Sequence, residues 1–244
     1  MALGQNLRTN RDGFGIIAEF PEFHNLPVII GECDPEGAAA LSCRVNPANG
    51  YRNTSAYAAY EVALMKHTLD LAARKDVNLQ GVLTWAFMFD GKDYFEGFRT
   101  LSTNGIHKSV LNAFKMLGML QGRRVPVNSS GALGVDRILK QGVRDKPDID
   151  GLATVDEQTV QIFLWDYHSA SADKDDMVDS PPASVNPPPP PPRRINRRIK
   201  LTVQMPDPRC FVSRSKTAGA AYGLALSTIA STKPIAMPTP AGSR

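Results

Sequence analysis

The stretch Leu26-Pro27-Val28-Ile29-Ile30-Gly31-Glu32 decides how the rest of the chain is read. Its apolar run shows no alternation, which suits a strand buried on both faces. A carboxylate placed directly after such a strand is held at the C-terminal mouth of a parallel sheet or barrel, where these folds keep their reactive groups. Glu32 stands at that place. Upstream, residues 7–20 read as the end of a helix, and Pro21 and Pro27 bracket the loop between. Downstream, Asp34-Pro35-Glu36-Gly37 forms a turn and Asn53-Thr54 offers a helix N-cap. From there Tyr57, Tyr60, Leu64 and Leu71 recur at helical spacing as far as Lys75.

The same architecture follows a second time. Residues 79–89 read as an apolar, aromatic-rich strand, and a loop over 91–105 leads to a helix with Val110, Phe114 and Leu117 on one face. Gly122 lies where a C-cap glycine belongs. Two βα units in series argue for a parallel sheet. After Gly122 the periodicity shortens, and 124–129, 149–154 and 159–167 read as short strands of a β-sandwich. Beyond Tyr167 the chain turns polar and reaches six prolines, Pro187 to Pro192, a polyproline II spacer that packs no core. The folded part is expected to end near His168.

Composition narrows the functional classes. The formal charge of +4 is unevenly spread: from Arg193 onward ten Lys and Arg face one acidic residue, so residues 1–192 carry 18 basic against 23 acidic groups. The basic character therefore belongs to the tail, and nucleic acid is not an expected partner. The run Arg193-Arg194-Ile195-Asn196-Arg197-Arg198-Ile199-Lys200 lacks the interleaved aromatics of a single-strand binding surface. Cys33, Cys43 and Cys210 match neither a disulfide framework nor a zinc site, and His24, His67, His107 and His168 show no metal-binding spacing. No cofactor or metal is expected. No run approaches the roughly 20 apolar residues of a membrane span, and neither a phosphate loop nor a nucleophile elbow is present.

The second strand runs into Thr84-Trp85-Ala86-Phe87-Met88-Phe89-Asp90. That places large rings and a carboxylate at the same mouth as Glu32. Sugars stack on aromatic faces, and their hydroxyls need carboxylates and amides as hydrogen-bond partners. Trp85 is the expected sugar platform. Phe87 and Phe89 read equally well as core.

These residues carry a resemblance. Leu26 to Glu32, Asp34-Pro35-Glu36-Gly37, Tyr51-Arg52-Asn53-Thr54, Leu83-Thr84-Trp85-Ala86-Phe87, Tyr94-Phe95-Glu96-Gly97-Phe98-Arg99 and Ser129-Ser130-Gly131-Ala132 together resemble bacterial β-xylosidases of glycoside hydrolase family 39. The similarity runs in consistent order over 7–168. It implies the C-terminal portion of a (β/α)8 TIM barrel in residues 1–122, a partial β-sandwich in 123–168 and a disordered tail in 169–244. It further implies Glu32 as the nucleophile of a retaining enzyme that hydrolyses terminal β-xylosides, with a xylo-oligosaccharide or aryl β-xyloside as substrate. Trp85, Phe87, Asp90 and Glu96 are the implied sugar contacts, Asp90 and Glu96 competing for one role.

In that family a second Glu, at the end of strand four, is the acid/base. The resemblance puts it upstream of this sequence, so the chain reads as a fragment, inactive alone. Asp34, Glu36, Asp90, Asp93 and Glu96 are the possible stand-ins, and none is a good one. Cys33 departs from the Ser often found beside the nucleophile. Residues 227–239 match the family's continuation read one nucleotide out of frame, which places an expected frameshift between His168 and Ser227. The rival reading is a non-catalytic interaction protein that presents the basic, proline-rich tail. The glycosidase reading expects Glu32 and Trp85 to line one cleft; the rival expects tail-dependent binding that salt abolishes. The expected location is the cytoplasm or periplasm of a bacterium.

Overall fold

The computed structural model describes residues 3–156, 159–169 and 199–204. The chain combines helices and strands in an α/β arrangement. Helix α1 spans Leu3–Ala18 and a 3-10 turn covers Pro21–Phe23 before strand β1, Val28–Ile30. A second 3-10 segment, Pro47–Asn53, precedes α2, Ser55–Arg74. Thr54 caps α2 as its position predicts, its side chain accepting from the Ala56 amide at 3.2 Å. Strand β2, Leu79–Val82, pairs parallel to β1, with Val28 opposite Leu79 and Ile30 opposite Val82.

Two expectations about these strands are corrected. β2 ends at Val82 rather than Phe89, because the next backbone groups are taken by another segment: the Ala86 amide donates to Arg99, and Phe87 accepts from Leu101 and Ser102. Nor is β1 buried on both faces. Val28 and Ile30 pack against the core, but Ile29 is 62% exposed, since no described element covers that face. Leu83 is exposed as well. The pair thus has one face on helices and one face bare.

A short hairpin of β3, Ser102–Thr103, and β4, Ile106–His107, lies within the expected loop and leads into α3, Ser109–Gly118. Gly122 does not cap α3, whose cap residue is Met119. At φ +81° it instead turns the chain into β5, with no room for a Cβ against the Val155 carbonyl. β5, Arg123–Val125, lies beside β7, Asp148–Val155, which pairs along its whole length with β8, Val160–Tyr167. Between them come β6, Val127–Ser129, and a short helix, α4, Val135–Gln141, which turn-rich flanks conceal in the sequence.

The expected end of the folded part near His168 is also corrected. β9, Leu201–Val203, pairs antiparallel with β6, and the bonds continue at both ends, from Ser130 to Lys200 and from Gln204 to Pro126. Leu201 and Val203 are half-buried while Thr202 is exposed, the alternation of a one-sided strand. Pro187 to Pro192, the basic run as far as Arg198, Cys210 and residues 227–239 lie outside the described residues.

A main core runs across the helices and the β7–β8 hairpin, and a smaller cluster around Val125, Ala153 and Val155 holds β5, β6 and β9. Leu3, Leu7 and Phe14 of α1, Tyr57, Tyr60 and Leu64 of α2, Val110 of α3 and Ile138 of α4 meet Leu152, Trp165 and Tyr167 of the β7–β8 hairpin. The contact is polar as well as apolar. Asp148, fully buried, accepts from the Leu133 amide at 2.8 Å and from the Trp165 indole at 3.3 Å, and stands 3.3 Å from His67 Nε2. Lys66 reaches Asp150 at 2.8 Å and Asp70 at 3.0 Å. Helix α2 is thereby fastened to the β7–β8 hairpin, while Val28, Ile30, Leu79 and Val82 of β1–β2 pack against the same core. Among the described residues no helix is long and apolar enough to cross a membrane.

Candidate active site

Because β1 and β2 are parallel neighbours, their C-terminal ends open on the same side. The ladder continues one step past the strands, the Leu83 amide donating to Ile30 at 2.9 Å and the Cys33 amide to Leu83 at 2.8 Å. Past Gly31 the strand's alternation breaks, and Cys33 is buried while Glu32 faces solvent. Burial pushes the Cys33 thiol up to about 11, so it stays protonated, resting against the Asn10 amide. The Glu32 side chain is 57% exposed. Glu32 and Trp85 line the same open cleft of about 590 Å³, together with Arg99 and a wall of small residues, Gly37 to Ala40, closed by Leu41. Trp85 is 49% exposed and meets Phe89 edge-on at 5.6 Å; its peptide bond to Ala86 is cis.

Arg99 is the hub. Its guanidinium is buried, yet Nη2 lies 2.7 Å from Glu32 Oε1 and 2.9 Å from Asp34 Oδ2. Nε donates to the Trp85 carbonyl at 3.0 Å, and the Arg99 amide donates to Ala39 at 3.0 Å. One residue, through its side chain and its backbone amide, thus sets the nucleophile candidate, the aromatic platform and the small-residue wall relative to each other. Asp34 is held from the β2 side by the Thr84 hydroxyl and by the Trp85 amide at 3.2 Å. Tyr57 of α2 touches Thr84 Oγ1 at 3.2 Å, and one turn further along α2 stands Glu61, 1% exposed.

The electrostatics follow from this stacking. The hydrogen bond with Asp34, then the charge of and hydrogen bond from Arg99, outweigh partial desolvation and hold Glu32 below the usual carboxylate range. Burial first, and the hydrogen bond with Glu32 second, push Asp34 up to about 6. Glu61 is raised well above the ordinary value by burial, reinforced by the Asp34 charge. At neutral pH the outermost carboxyl is ionised, the state a nucleophile needs.

The remaining expected residues are placed differently. Glu36 is committed to Arg52, with Nη2 at 2.6 Å, and also accepts from Tyr51 and the Ala38 amide. Asp93 and Glu96 both reach Arg44, at 2.6 and 3.2 Å, pinning the 43–44 segment. Asp90 is solvent-exposed and Phe87 presents an exposed ring, and neither belongs to the cleft lining. Glu32 and Trp85 are therefore brought together, whereas Phe87, Asp90 and Glu96 are not. Arg99 and Glu61 complete the candidate site and were not singled out as its parts from the sequence, and Asp34 was named only as a poor stand-in for the acid. Glu61 did leave a signal, since it falls four residues after Tyr57 and three before Leu64, on the apolar stripe of α2.

Among the described residues no group of three His, Cys, Asp or Glu side chains could hold a metal ion. No family model matches the chain, and no curated protein or solved structure matches it either.

Proposed function

We propose that this chain carries the nucleophile side of a retaining β-xylosidase site, with Glu32 as nucleophile and Trp85 as the platform for the sugar. The observation that carries the reading is the shared cleft: an exposed, Arg99-clamped carboxylate and a half-exposed indole at the C-terminal ends of two adjacent parallel strands. The bare face of β1–β2, with Ile29 and Leu83 exposed, fits two βα units of a (β/α)8 barrel whose interior side is completed by further strands.

In this reading a Glu32 oxygen attacks the anomeric carbon of a terminal β-xyloside or xylo-oligosaccharide as the glycosidic C–O bond breaks. An acid must protonate the leaving oxygen, and water then releases the sugar with that same group acting as base. The acid must stand about 5 to 5.5 Å from the nucleophile. Among the described residues Glu32 is the only carboxylate lining the cleft. Asp34 is sealed behind it, Glu36 is bound to Arg52, and Asp93 and Glu96 are bound to Arg44. The chain alone should therefore turn over ordinary xylosides poorly, for want of the acid.

The test exploits that deficit. A 2-deoxy-2-fluoro-β-xyloside with a dinitrophenolate leaving group needs no protonation, because the phenolate departs as a stable anion. Incubation should leave a covalent fluoroxylosyl adduct on the peptide containing Glu32, detected by mass spectrometry and absent from Glu32→Gln. An adduct on another residue, or none, would remove Glu32 from the role.

A further inference from the structure

Glu32 and Asp34 share one guanidinium at the floor of the cleft, and a third carboxyl, Glu61, is buried behind them. Glu32, Asp34 and Glu61 lie in sequence from solvent to core, at 57%, 4% and 1% exposure, and Arg99 is their common cation. The other buried arginine, Arg52, is engaged by Glu36. The groups facing Asp34 from the surrounding elements add no further positive charge. α1 contributes the neutral Asn6, whose amide donates to the Asp34 carbonyl at 2.8 Å. The end of β1 contributes Glu32 and the Cys33 thiol, α2 contributes Tyr57 and Glu61, and the end of β2 contributes the Thr84 hydroxyl and the Trp85 amide. Lys108 is turned to the Phe98 carbonyl and the Thr100 hydroxyl.

A single buried cation cannot hold three carboxylates in the charged state away from water. Among the described residues Glu61 has at most a weak hydrogen bond from Tyr57, too little for a carboxylate at that depth and enough for a neutral acid. Asp34 differs, because one of its oxygens already accepts from Thr84 and Trp85. Its other oxygen, Oδ2, lies 2.9 Å from Arg99 Nη2 on the Glu32 side but accepts no well-aligned hydrogen bond, and that is where a proton can sit.

Resting on the nucleophile reading above, we propose that Asp34 and Glu61 are proton-holding positioning residues: Glu61 stays neutral, and in mildly acidic solution Asp34 also holds a proton, which it donates in a hydrogen bond to Glu32, so that Glu32 is left as the one charged carboxylate of the cluster. Arg99 then balances one negative charge rather than three. Glu32 is held on two sides, by the guanidinium and by the Asp34 hydroxyl, so that its outer oxygen faces the cleft. Neither Asp34 nor Glu61 touches the sugar.

The experiment is a carboxyl-carbon NMR titration of the whole chain, labelled with ¹³C in Asp and Glu, from about pH 4 to about pH 9, a window spanning ordinary and raised carboxyl values. One Asp signal should titrate near 6 and vanish in Asp34→Asn, while the Glu32 signal titrates below the ordinary Glu range in both proteins. Asp34→Ala should move the Glu32 titration upward, toward the ordinary Glu value, because it removes the donor that Asn retains. Glu61→Gln should leave the Asp34 titration in place, a neutral acid being replaced by a neutral amide. An Asp34 signal in the ordinary Asp range, or a fall of the Asp34 titration in Glu61→Gln, would overturn the proposal. The two isosteric variants carry the decision even where Asp34→Ala fails to fold. No turnover is required: correct titrations without the fluorosugar adduct would remove the nucleophile role alone, and an adduct with ordinary titrations would remove the proton arrangement alone.

Discussion

Arg52 and Arg99 are equally buried, both reach carboxylates, and they do opposite work. Arg52 is saturated: besides the Glu36 carboxylate it donates to the carbonyls of Leu41, Gly97 and Ala38 at 2.9 to 3.1 Å. Arg99 is shared: Glu32 and Asp34 compete for one nitrogen, and its Nη1 has no hydrogen bond, with Glu36 4.0 Å away. A saturated guanidinium fixes backbone, since carbonyls neither titrate nor leave. A shared one fixes charge, since its partners can gain or lose protons. Burial alone does not separate a structural arginine from a site arginine; the count of partners that can change state does.

The strongest way to break this contrast is to delete both cations in turn. Arg52→Ala should cost about 3 to 5 kcal/mol of unfolding free energy, the usual result of stripping one partner from a buried pair. The loss should persist at acidic pH, because protonating Glu36 does nothing for three orphaned carbonyls. Urea unfolding near neutral and near pH 5 measures it. Arg99→Ala should cost less, about 2 kcal/mol at neutral pH, because its carboxyl partners can take up protons. Without the cation their folded values rise further, so the deficit should shrink as pH falls. Equal, pH-independent losses in both variants would erase the distinction.

A sharper version removes a titrating partner. Asp34 has its folded value raised to about 6 from 3.8, so its contribution is fully present below the unfolded value and is lost as pH rises through the folded one. Asn does not titrate. Asp34→Asn should therefore gain on the wild type between about pH 4 and about pH 7, by about 2 kcal/mol, and hold that gain at higher pH. Thermal unfolding at a series of pH values reads it directly, and a relative loss with rising pH would reverse the assignment of the proton.

The same contrast explains what the sequence disclosed. Glu32 was legible because three apolar residues followed by Gly and Glu is a local pattern, and Thr54 because an N-cap acts on the next turn. Arg99 was not, because it acts through Glu32, 67 positions away. β2 was overextended for a similar reason: Leu83 to Phe89 keeps a strand-like composition, while its backbone bonds go to Arg99, Leu101 and Ser102. β9 was missed because it belongs to a sheet whose other strand, β6, lies more than seventy residues earlier. Glu61 alone was local and overlooked, a charge on the apolar stripe of its helix.

Trp85 provides the smallest structural effect and the cleanest separation of fold from site. Its ring is half in solvent and its one aromatic neighbour, Phe89, is shared with Phe98 at 5.3 Å, so Phe89 keeps a partner when the indole is removed. The backbone groups that anchor residue 85, its amide on Asp34 and its carbonyl on Arg99, remain in an alanine. Trp85→Ala should therefore lose only about 1 kcal/mol of stability, the scale of one aromatic pair. Removal of a stacking face for the sugar should slow fluorosugar labelling of Glu32 about tenfold, equivalent to 1.4 kcal/mol. Phe87→Ala is the control: equally aromatic, more exposed and outside the cleft lining, it should leave the labelling rate unchanged. If the two variants slowed labelling alike, the cleft would not be where the sugar stacks, and the pairing of Glu32 with Trp85 would lose its chemical meaning while the Arg99 cluster kept its own.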